Sequence, residues 1–252
     1  MNSTKNTATT ISQKGESSFI TYAHRGASEY CPENTMMSFY MGMQMGANGI
    51  ETDVQVTKDG VLVLFHDDTL ERVTGEVGRV ADYTLEELNA FLVYHGALHD
   101  KIPTLEDFLS HFAYRDITIA LEIKVGGIEE KIADMIFKYG LEDKVIVTSF
   151  MLDYLTAFKS CAPELRIGLL ATRYDDDILD ALLALGAYEI CPKGEEVTSE
   201  LVDKWHALGL GVRAWGIFNE EIMRSVYDAG ADGMTVNFPD LLLGYIAEKR
   251  DV

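Results

Sequence analysis

From Pro103 to the end of the chain, helical and extended patterns alternate without a break. Pro103-Thr104 opens a helix through about Tyr114, and Ile117 to Lys124 reads as a strand. Further strands are predicted over Lys144 to Phe150, Arg166 to Ala171, Tyr188 to Pro192, Gly211 to Ile217 and Gly233 to Val236. Helices are predicted over Glu129 to Tyr139, Leu152 to Ser160, Asp175 to Leu185, Ser199 to Leu208, Glu220 to Ala229 and Asp240 to Lys249. Four of these helices stop at a glycine, and the strands are rich in β-branched residues. Strict alternation implies parallel strands joined by crossover helices. With Phe19 to Ala23 and the strand near Gly49, eight such strands begin near Phe19, Gly49, Ile117, Lys144, Arg166, Tyr188, Gly211 and Gly233. Eight units in a chain of 252 residues predict an α/β protein of the closed (β/α)8 TIM-barrel class. An open doubly wound sheet is the competing architecture, but no GxGxxG turn follows the first strand.

The regular pattern is preceded by two stretches of different texture. Residues 1–17 are polar, Ser/Thr-rich and without the apolar core of a signal peptide, and read as a flexible tail ahead of a barrel over 18–250. Residues 68–101 are polar and turn-rich, with one short helical piece over Leu85 to Leu92 that Thr84 could cap, and read as a subdomain inserted beside the barrel after the second strand unit. Pro32 to Thr35 marks a helix start, and the methionine stripe behind it reads as adaptable core packing. No apolar run reaches the roughly 20 residues of a membrane span. Cys31, Cys161 and Cys191 are odd in number and far apart, with no CxxC pair, so they read as buried free thiols in a reducing compartment. A cytoplasmic protein is the expectation. The formal charge of −20, from 21 Lys plus Arg against 41 Asp plus Glu, argues against nucleic acid or an anionic membrane as partner. It leaves room for a small anionic ligand held by a local cation.

Within this frame, polar residues fall where strands end, which is where barrels carry their chemistry. Ile50 to Asp67 reads strand, Lys58-Asp59-Gly60 turn, strand. Glu51 and Asp53 are two apart and share one strand face. Two bare carboxylates on an inward face repel each other unless a cation lies between them. His24 and Arg25 end the first strand, and His66 follows the extra strand. Glu122 and Lys124 end the third barrel strand, Ser149 and Phe150 the fourth, and Trp215 the seventh. Ser149 reads as a strand-end hydrogen bonder, and His95, His99, His111 and His206 as surface or packing residues.

This set supports one chemistry well. Glu51, Asp53 and Glu122 offer only oxygen ligands, which favour a hard divalent cation, Mg²⁺ or Ca²⁺, over zinc. A cation with Arg25 and Lys124 suits a phosphate group. Two histidines can divide the proton work, one taking a proton from the attacking hydroxyl and one giving a proton to the leaving alkoxide. Metal-assisted phosphoester cleavage follows from the residues alone.

The segments AHRGASEYCPENT (Ala23 to Thr35), IETDVQVTKDGVLVLFHDDTLERVTG (Ile50 to Gly75), IPTLEDFL (Ile102 to Leu109), LEIK (Leu121 to Lys124) and GADGMTVNFPD (Gly230 to Asp240) resemble the glycerophosphodiester phosphodiesterase family. The resemblance implies a barrel with a small insertion before the third main strand. It implies a divalent metal on Glu51, Asp53 and Glu122, His24 and His66 as the acid–base pair, Arg25 and Lys124 on the phosphate, and Trp215 at the alcohol end. The implied substrates are glycerophosphodiesters such as glycerophosphocholine and glycerophosphoethanolamine, cleaved to glycerol 3-phosphate and an alcohol. One stretch departs from the family pattern: where many relatives resemble Trp-Thr-x-Asn, this chain reads Trp215-Gly216-Ile217-Phe218-Asn219, which bears on headgroup preference.

Three alternatives compete. A lyase could use Lys124 in a Schiff base, although the carboxylates around it would keep it protonated. A barrel that only binds phosphodiesters would be expected to have lost a histidine. A phospholipase acting on intact lipids would need an exposed apolar rim, expected around Phe91 to Leu98.

Overall fold

The computed structural model describes residues 19–250; the tail read over residues 1–17 lies outside the described residues. β1 (Ile20–His24) leads to α1 (Met36–Gln44) and β2 (Gly49–Val56), and β3 (Leu62–Leu64) folds back antiparallel on the end of β2. Next come α2 (Glu71–Thr74), α3 (Leu85–Leu88) and a hairpin of β4 (Leu92–His95) and β5 (Leu98–Lys101). The alternation then takes over. In order it is α4 (Leu105–Phe112), β6 (Thr118–Ile123), α5 (Glu129–Tyr139), β7 (Val145–Ser149), α6 (Leu152–Cys161), β8 (Arg166–Leu170) and α7 (Asp176–Ala184). β9 (Glu189–Cys191), α8 (Ser199–Ala207), β10 (Gly211–Ile217), α9 (Glu220–Asp228), β11 (Gly233–Val236) and α10 (Pro239–Arg250) complete it.

The parallel ladder runs β2-β6-β7-β8-β9-β10-β11-β1 and closes when β1 pairs with β2, His24 opposite Glu51. The eight-stranded (β/α)8 barrel predicted from the alternation is therefore present among the described residues. Side chains pointing outward from the strands pack against the helices. Phe39 of α1 meets Phe108 of α4 edge to face, ring centroids 4.7 Å apart, and Phe112 joins them. All three are fully buried, and each stabilises the fold by roughly 1.5–3 kcal/mol through area removed from water. No helix among the described residues is long and apolar enough to cross a membrane.

The period-two alternation of β3 joins barrel to insertion. Leu62 and Leu64 enter the main core, while Val63 and Phe65 enter a second, small core with Leu70, Val80, Leu88, Val93 and Ile102. The helix expected after Thr84 is capped as predicted, Thr84 Oγ1 accepting from the Glu87 amide, but it ends at Leu88 rather than running through Asn89 to Leu92. Burial of Val93 in the small core and pairing of β4 with β5 override the helical propensity there.

Inside the barrel, a buried polar layer fills the interior below the C-terminal rim. Arg213 donates from Nε to Glu189 Oε1 (2.8 Å) and from Nη1 to Thr235 Oγ1 (2.8 Å), and its guanidinium lies 5.0 Å from the centre of the Tyr22 ring. These groups are buried, so the interior is a packed core and the working cleft opens at the C-terminal ends of the strands.

Candidate active site

β1 delivers His24 to the C-terminal rim, and the chain then turns sharply. Arg25 and Gly26 both take left-handed backbone angles, φ +53° and +82°. That conformation is uncommon for arginine and costs energy, and such strain collects at functional sites. The Arg25 amide pins the turn by donating to the Glu51 carbonyl (2.9 Å). At Gly26 a Cβ would lie 2.4 Å from the Ser38 backbone, so the turn packs directly on α1. His24 Nδ1 donates to Asn237 Oδ1, which leaves Nε2 free and 3.9 Å from Glu51 Oε2. Burial, seconded by the Arg25 charge, lowers the His24 pKa to about 4, so the imidazole is neutral at pH 7.

Behind His24 lie the three carboxylates. Glu51, Asp53 and Glu122 are 5%, 1% and 7% exposed, and each offers an oxygen within 4.8 Å of the others. The ladder puts them there: Asp53 is in register with Glu122, and Glu51 sits two residues earlier on the same face of β2. Burial above all, then the Asp53 charge, pushes Glu51 up to about 8 and Glu122 up to about 7. Asp53 is buried as deeply, but Arg25 and Lys124 hold it well below the usual carboxylate range. Lys124 Nζ donates to Glu122 Oε1 (2.8 Å) and lies 3.6 Å from Asp53 Oδ1. Arg25 Nε is 3.1 Å from Asp53 Oδ2 yet is not aligned to donate to it. Asp53 Oδ1, buried, has no hydrogen-bond partner among the described residues. Two buried carboxylates driven toward protonation beside an orphaned carboxylate oxygen form a donor set that fits a divalent cation. An all-oxygen set suits Mg²⁺ or Ca²⁺.

His66 completes the rim by a different route. It follows β3, and its Nδ1 bonds to Asp67 Oδ1, so Nε2 is free. Burial lowers its pKa, opposed by Asp53 and Asp67. Arg72 clamps Asp67 through Nε and at the same time donates to both oxygens of Glu33 (2.7 and 2.8 Å). Glu33 in turn accepts from Arg25 Nη1 (3.0 Å). A line of alternating charges therefore connects the loop of His66 to the loop of Arg25.

These groups open on a pocket of about 250 Å³. His24, Arg25, Glu51, His66 and Glu122 meet there with Thr148, Arg213 and Thr235, and with an apolar wall of Phe150, Leu170, Trp215 and Phe218. Thr148 Oγ1 is buried and without a hydrogen-bond partner among the described residues.

The structure thus gathers His24, Arg25, Glu51, Asp53, His66, Glu122, Lys124 and Trp215 at one end of the barrel. Lys124 and Asp53 lie behind the pocket rather than on its surface, Lys124 bridging two carboxylates. Ser149 donates to the Ile123 carbonyl (3.0 Å) as a strand-end hydrogen bonder. Around Phe91 to Leu98, Phe91 and Val93 turn into the small core, and only Tyr94 and Leu98 are exposed large hydrophobics. The apolar lip is instead at Phe150, Met151 and Phe218. Sequence reasoning assigned no role to Asn34, Glu33, Asp67, Arg72, Thr148 or Asn237. Asn34, also left-handed at φ +55°, donates to Asp53 Oδ2 (2.9 Å) and accepts from Thr52 Oγ1 (2.7 Å). For Glu33, Asn34, Asp67 and Asn237 the available signal was a polar residue in a segment that follows a strand, whereas Thr148 lies within β7 and Arg72 on α2.

The sequence profile of the glycerophosphoryl diester phosphodiesterase family matches residues 24–241. The glycerophosphodiester phosphodiesterase of Caldanaerobacter subterraneus subsp. tengcongensis is 36% identical over 239 residues, covering 90% of this chain and 97% of that protein. A phosphodiesterase of Oleispira antarctica, solved with the product sn-glycerol-3-phosphate, superposes with a TM-score of 0.78 at 25% identity over 90% of this chain and 96% of that one. The glycerophosphodiester phosphodiesterase of Agrobacterium tumefaciens has the same fold, TM-score 0.80 at 24% identity, over 90% of this chain and 99% of that one.

Proposed function

The chain belongs to the glycerophosphoryl diester phosphodiesterase family, and on that premise we propose that it hydrolyses glycerophosphodiesters to glycerol 3-phosphate and an alcohol. The observation that carries the proposal is the convergence of two imidazoles, each with Nδ1 anchored and Nε2 free, on a pocket that also holds the carboxylate cluster.

Glu51, Asp53 and Glu122 would hold one divalent cation, Mg²⁺ or Ca²⁺, which when bound supplies positive charge to the phosphoryl oxygens. Arg25 supports the phosphate, its guanidinium held in place by Glu33 and Asp53. Lys124 keeps Asp53 ionised and adds positive charge behind the site. The neutral amide of Asn237 behind His24 leaves Nε2 as a proton acceptor, whereas the carboxylate of Asp67 behind His66 favours a bound proton. His24 therefore removes a proton from the attacking water as the new P–O bond forms. His66 delivers a proton to the departing alkoxide as the old P–O bond breaks. Trp215 lines the pocket at the alcohol end.

We further treat residues 68–101 as a subdomain inserted in a barrel spanning 18–250, on the ground of the second, small core that it forms with Val63, Phe65 and Ile102. We place the reaction in the cytoplasm, in keeping with three free thiols, of which Cys31 and Cys191 are buried as expected and Cys161, on α6, is exposed instead. The test is release of glycerol 3-phosphate from glycerophosphocholine and glycerophosphoethanolamine, with EDTA and then with Mg²⁺ or Ca²⁺ restored. Product that disappears with chelator and returns with one ion is expected; no product from any diester under either ion would overturn the activity.

A further inference from the structure

The turn that carries His66 is held from two sides. Phe65, just before it, is buried in the second core with Leu70, and Val73 of α2 packs against that core. From the barrel, Gln55 Nε2 donates to the Asp67 carbonyl (3.2 Å) and pins the backbone of the turn. From the insertion, Arg72 pins the side chains. α2 is only four residues long, but Leu70 ahead of it is fully buried, and Thr74 Oγ1 donates to the Leu70 carbonyl (2.7 Å). The helix therefore has a fixed seat, and its guanidinium lies between two carboxylates. Nε donates to Asp67 Oδ2, while Nη1 and Nη2 donate to the two oxygens of Glu33 (2.8 and 2.7 Å). Asp67 Oδ1 is thereby left to His66 Nδ1, and Glu33 Oε1 also accepts from Arg25 Nη1 (3.0 Å).

We propose that Arg72 is a positioning residue for the acid His66, so that the inserted subdomain serves the reaction by aiming that imidazole at the leaving oxygen. The proposal rests on the phosphodiesterase activity and the acid role proposed above, and adds the group that acts through them. Arg72 stands outside the pocket lining and outside the carboxylate cluster, so its influence passes through Asp67. A planar guanidinium with Nε and both Nη atoms engaged fixes two carboxylates at once, which the single ammonium of a lysine cannot do. Without it, Asp67 and Glu33 are neighbouring like charges that repel and rotate apart. Asp67 Oδ1 then loses its direction, the His66 ring turns with it, and the Nε2 proton no longer faces the alkoxide oxygen. Proton transfer needs hydrogen-bond reach, so a small misplacement is felt strongly. The Arg72 side chain is 47% exposed, and ion pairs that wet contribute little to folding. Variants at Arg72 are therefore expected to fold normally while the acid loses its aim.

The test compares glycerophosphocholine with the p-nitrophenyl diester of glycerol 3-phosphate, divalent ion present, in wild type, Arg72→Gln, Arg72→Lys, His66→Ala and the double variant His66→Ala/Arg72→Gln. Arg72→Gln is expected to lower kcat on the choline diester about 10- to 100-fold. It should leave the p-nitrophenyl diester nearly unaffected, because p-nitrophenolate departs without a proton. Arg72→Lys is expected to restore little, since charge without the fork does not hold both carboxylates. In the His66→Ala background Arg72→Gln should cost nothing further, because the ring it aims is gone. A second readout is independent of turnover: long-range ¹⁵N–¹H spectra at about pH 8, above the ordinary histidine value, with the signal assigned by its loss in His66→Ala. His66 is expected as the Nδ1–H tautomer in wild type and as a tautomer mixture in Arg72→Gln. Equal losses on both diesters, an undiminished loss in the His66→Ala background, or one unchanged tautomer in both proteins would overturn the positioning role while leaving the phosphodiesterase activity standing. Were neither diester cleaved by wild type, the activity would fall, and the spectra alone would decide whether Arg72 aims the ring.

Discussion

Glu51 gives the sharpest quantitative expectation. Without a cation, burial holds its pKa at about 8 against an ordinary 4.5. Between those values the folded protein keeps a proton that the unfolded chain has lost, so stability falls as pH rises. The histidines act in the opposite direction. Burial lowers His24 and His66, so each adds stability as pH rises, but that gain is complete once pH exceeds the ordinary histidine value of 6.5. From pH 6.5 to 8 the carboxylates are left in control. Across that window Glu51 costs about 2 kcal/mol, at roughly 1.4 kcal/mol per pH unit. For a domain of this size that is about 4–8 °C in melting temperature. Wild type and Glu51→Gln are melted in EDTA at intervals from pH 6.5 to 8. Wild type is expected to lose about 2 kcal/mol relative to the variant across the window. Excess Mg²⁺ or Ca²⁺ is expected to flatten the wild-type slope and raise its melting temperature, because a cation selects the ionised carboxylates. Parallel profiles for the two proteins in EDTA, or a wild-type profile indifferent to both cations, would refute the link between burial, charge and cation at this cluster.

Two further expectations follow from the geometry. His24→Ala and His66→Ala should each lower kcat on glycerophosphocholine about 10²–10⁴-fold, but only His66→Ala should recover on a p-nitrophenyl diester, whose leaving group needs no proton; equal recovery of both would remove the acid–base assignment. Gly26→Ala should destabilise the protein by about 2–4 kcal/mol in urea unfolding, because its Cβ would meet the Ser38 backbone at 2.4 Å and its φ is +82°; a change below about 0.5 kcal/mol would show that the turn relaxes.

Much of the candidate site could be read in one dimension because its carboxylates follow strand geometry. Glu51 and Asp53 share a face because strands have period two, and Glu122 joins them because β6 runs in register beside β2. His24 and His66 could be picked out because chemistry in barrels collects where strands end. The groups behind them could not. His24 finds its partner 213 residues away at Asn237, Asn34 reaches Asp53 across 19 positions, and Arg72 reaches Glu33 across 39. Nothing local distinguishes these polar loop residues from ordinary solvated ones. The short segment after Leu88 shows the same limit in the fold: its helical pattern yields to a hairpin because Val93 is buried by residues contributed from β3 and beyond.

By itself, then, the sequence determined the barrel and the donor types at its rim. Alternating strand and helix patterns have few ways to bury their apolar faces, and the carboxylate and imidazole residues are named by their own chemistry. Only the tertiary structure decided how those groups are tuned. Closure of β1 on β2 sets His24 opposite Glu51, burial drives two of three like carboxylates toward protonation while Arg25 and Lys124 hold the third ionised, and the jump in β10 brings Trp215 and Phe218 to the pocket. The physical reason is that pKa values and pocket walls depend on distances and dielectric surroundings, and these exist only once distant strands are packed together.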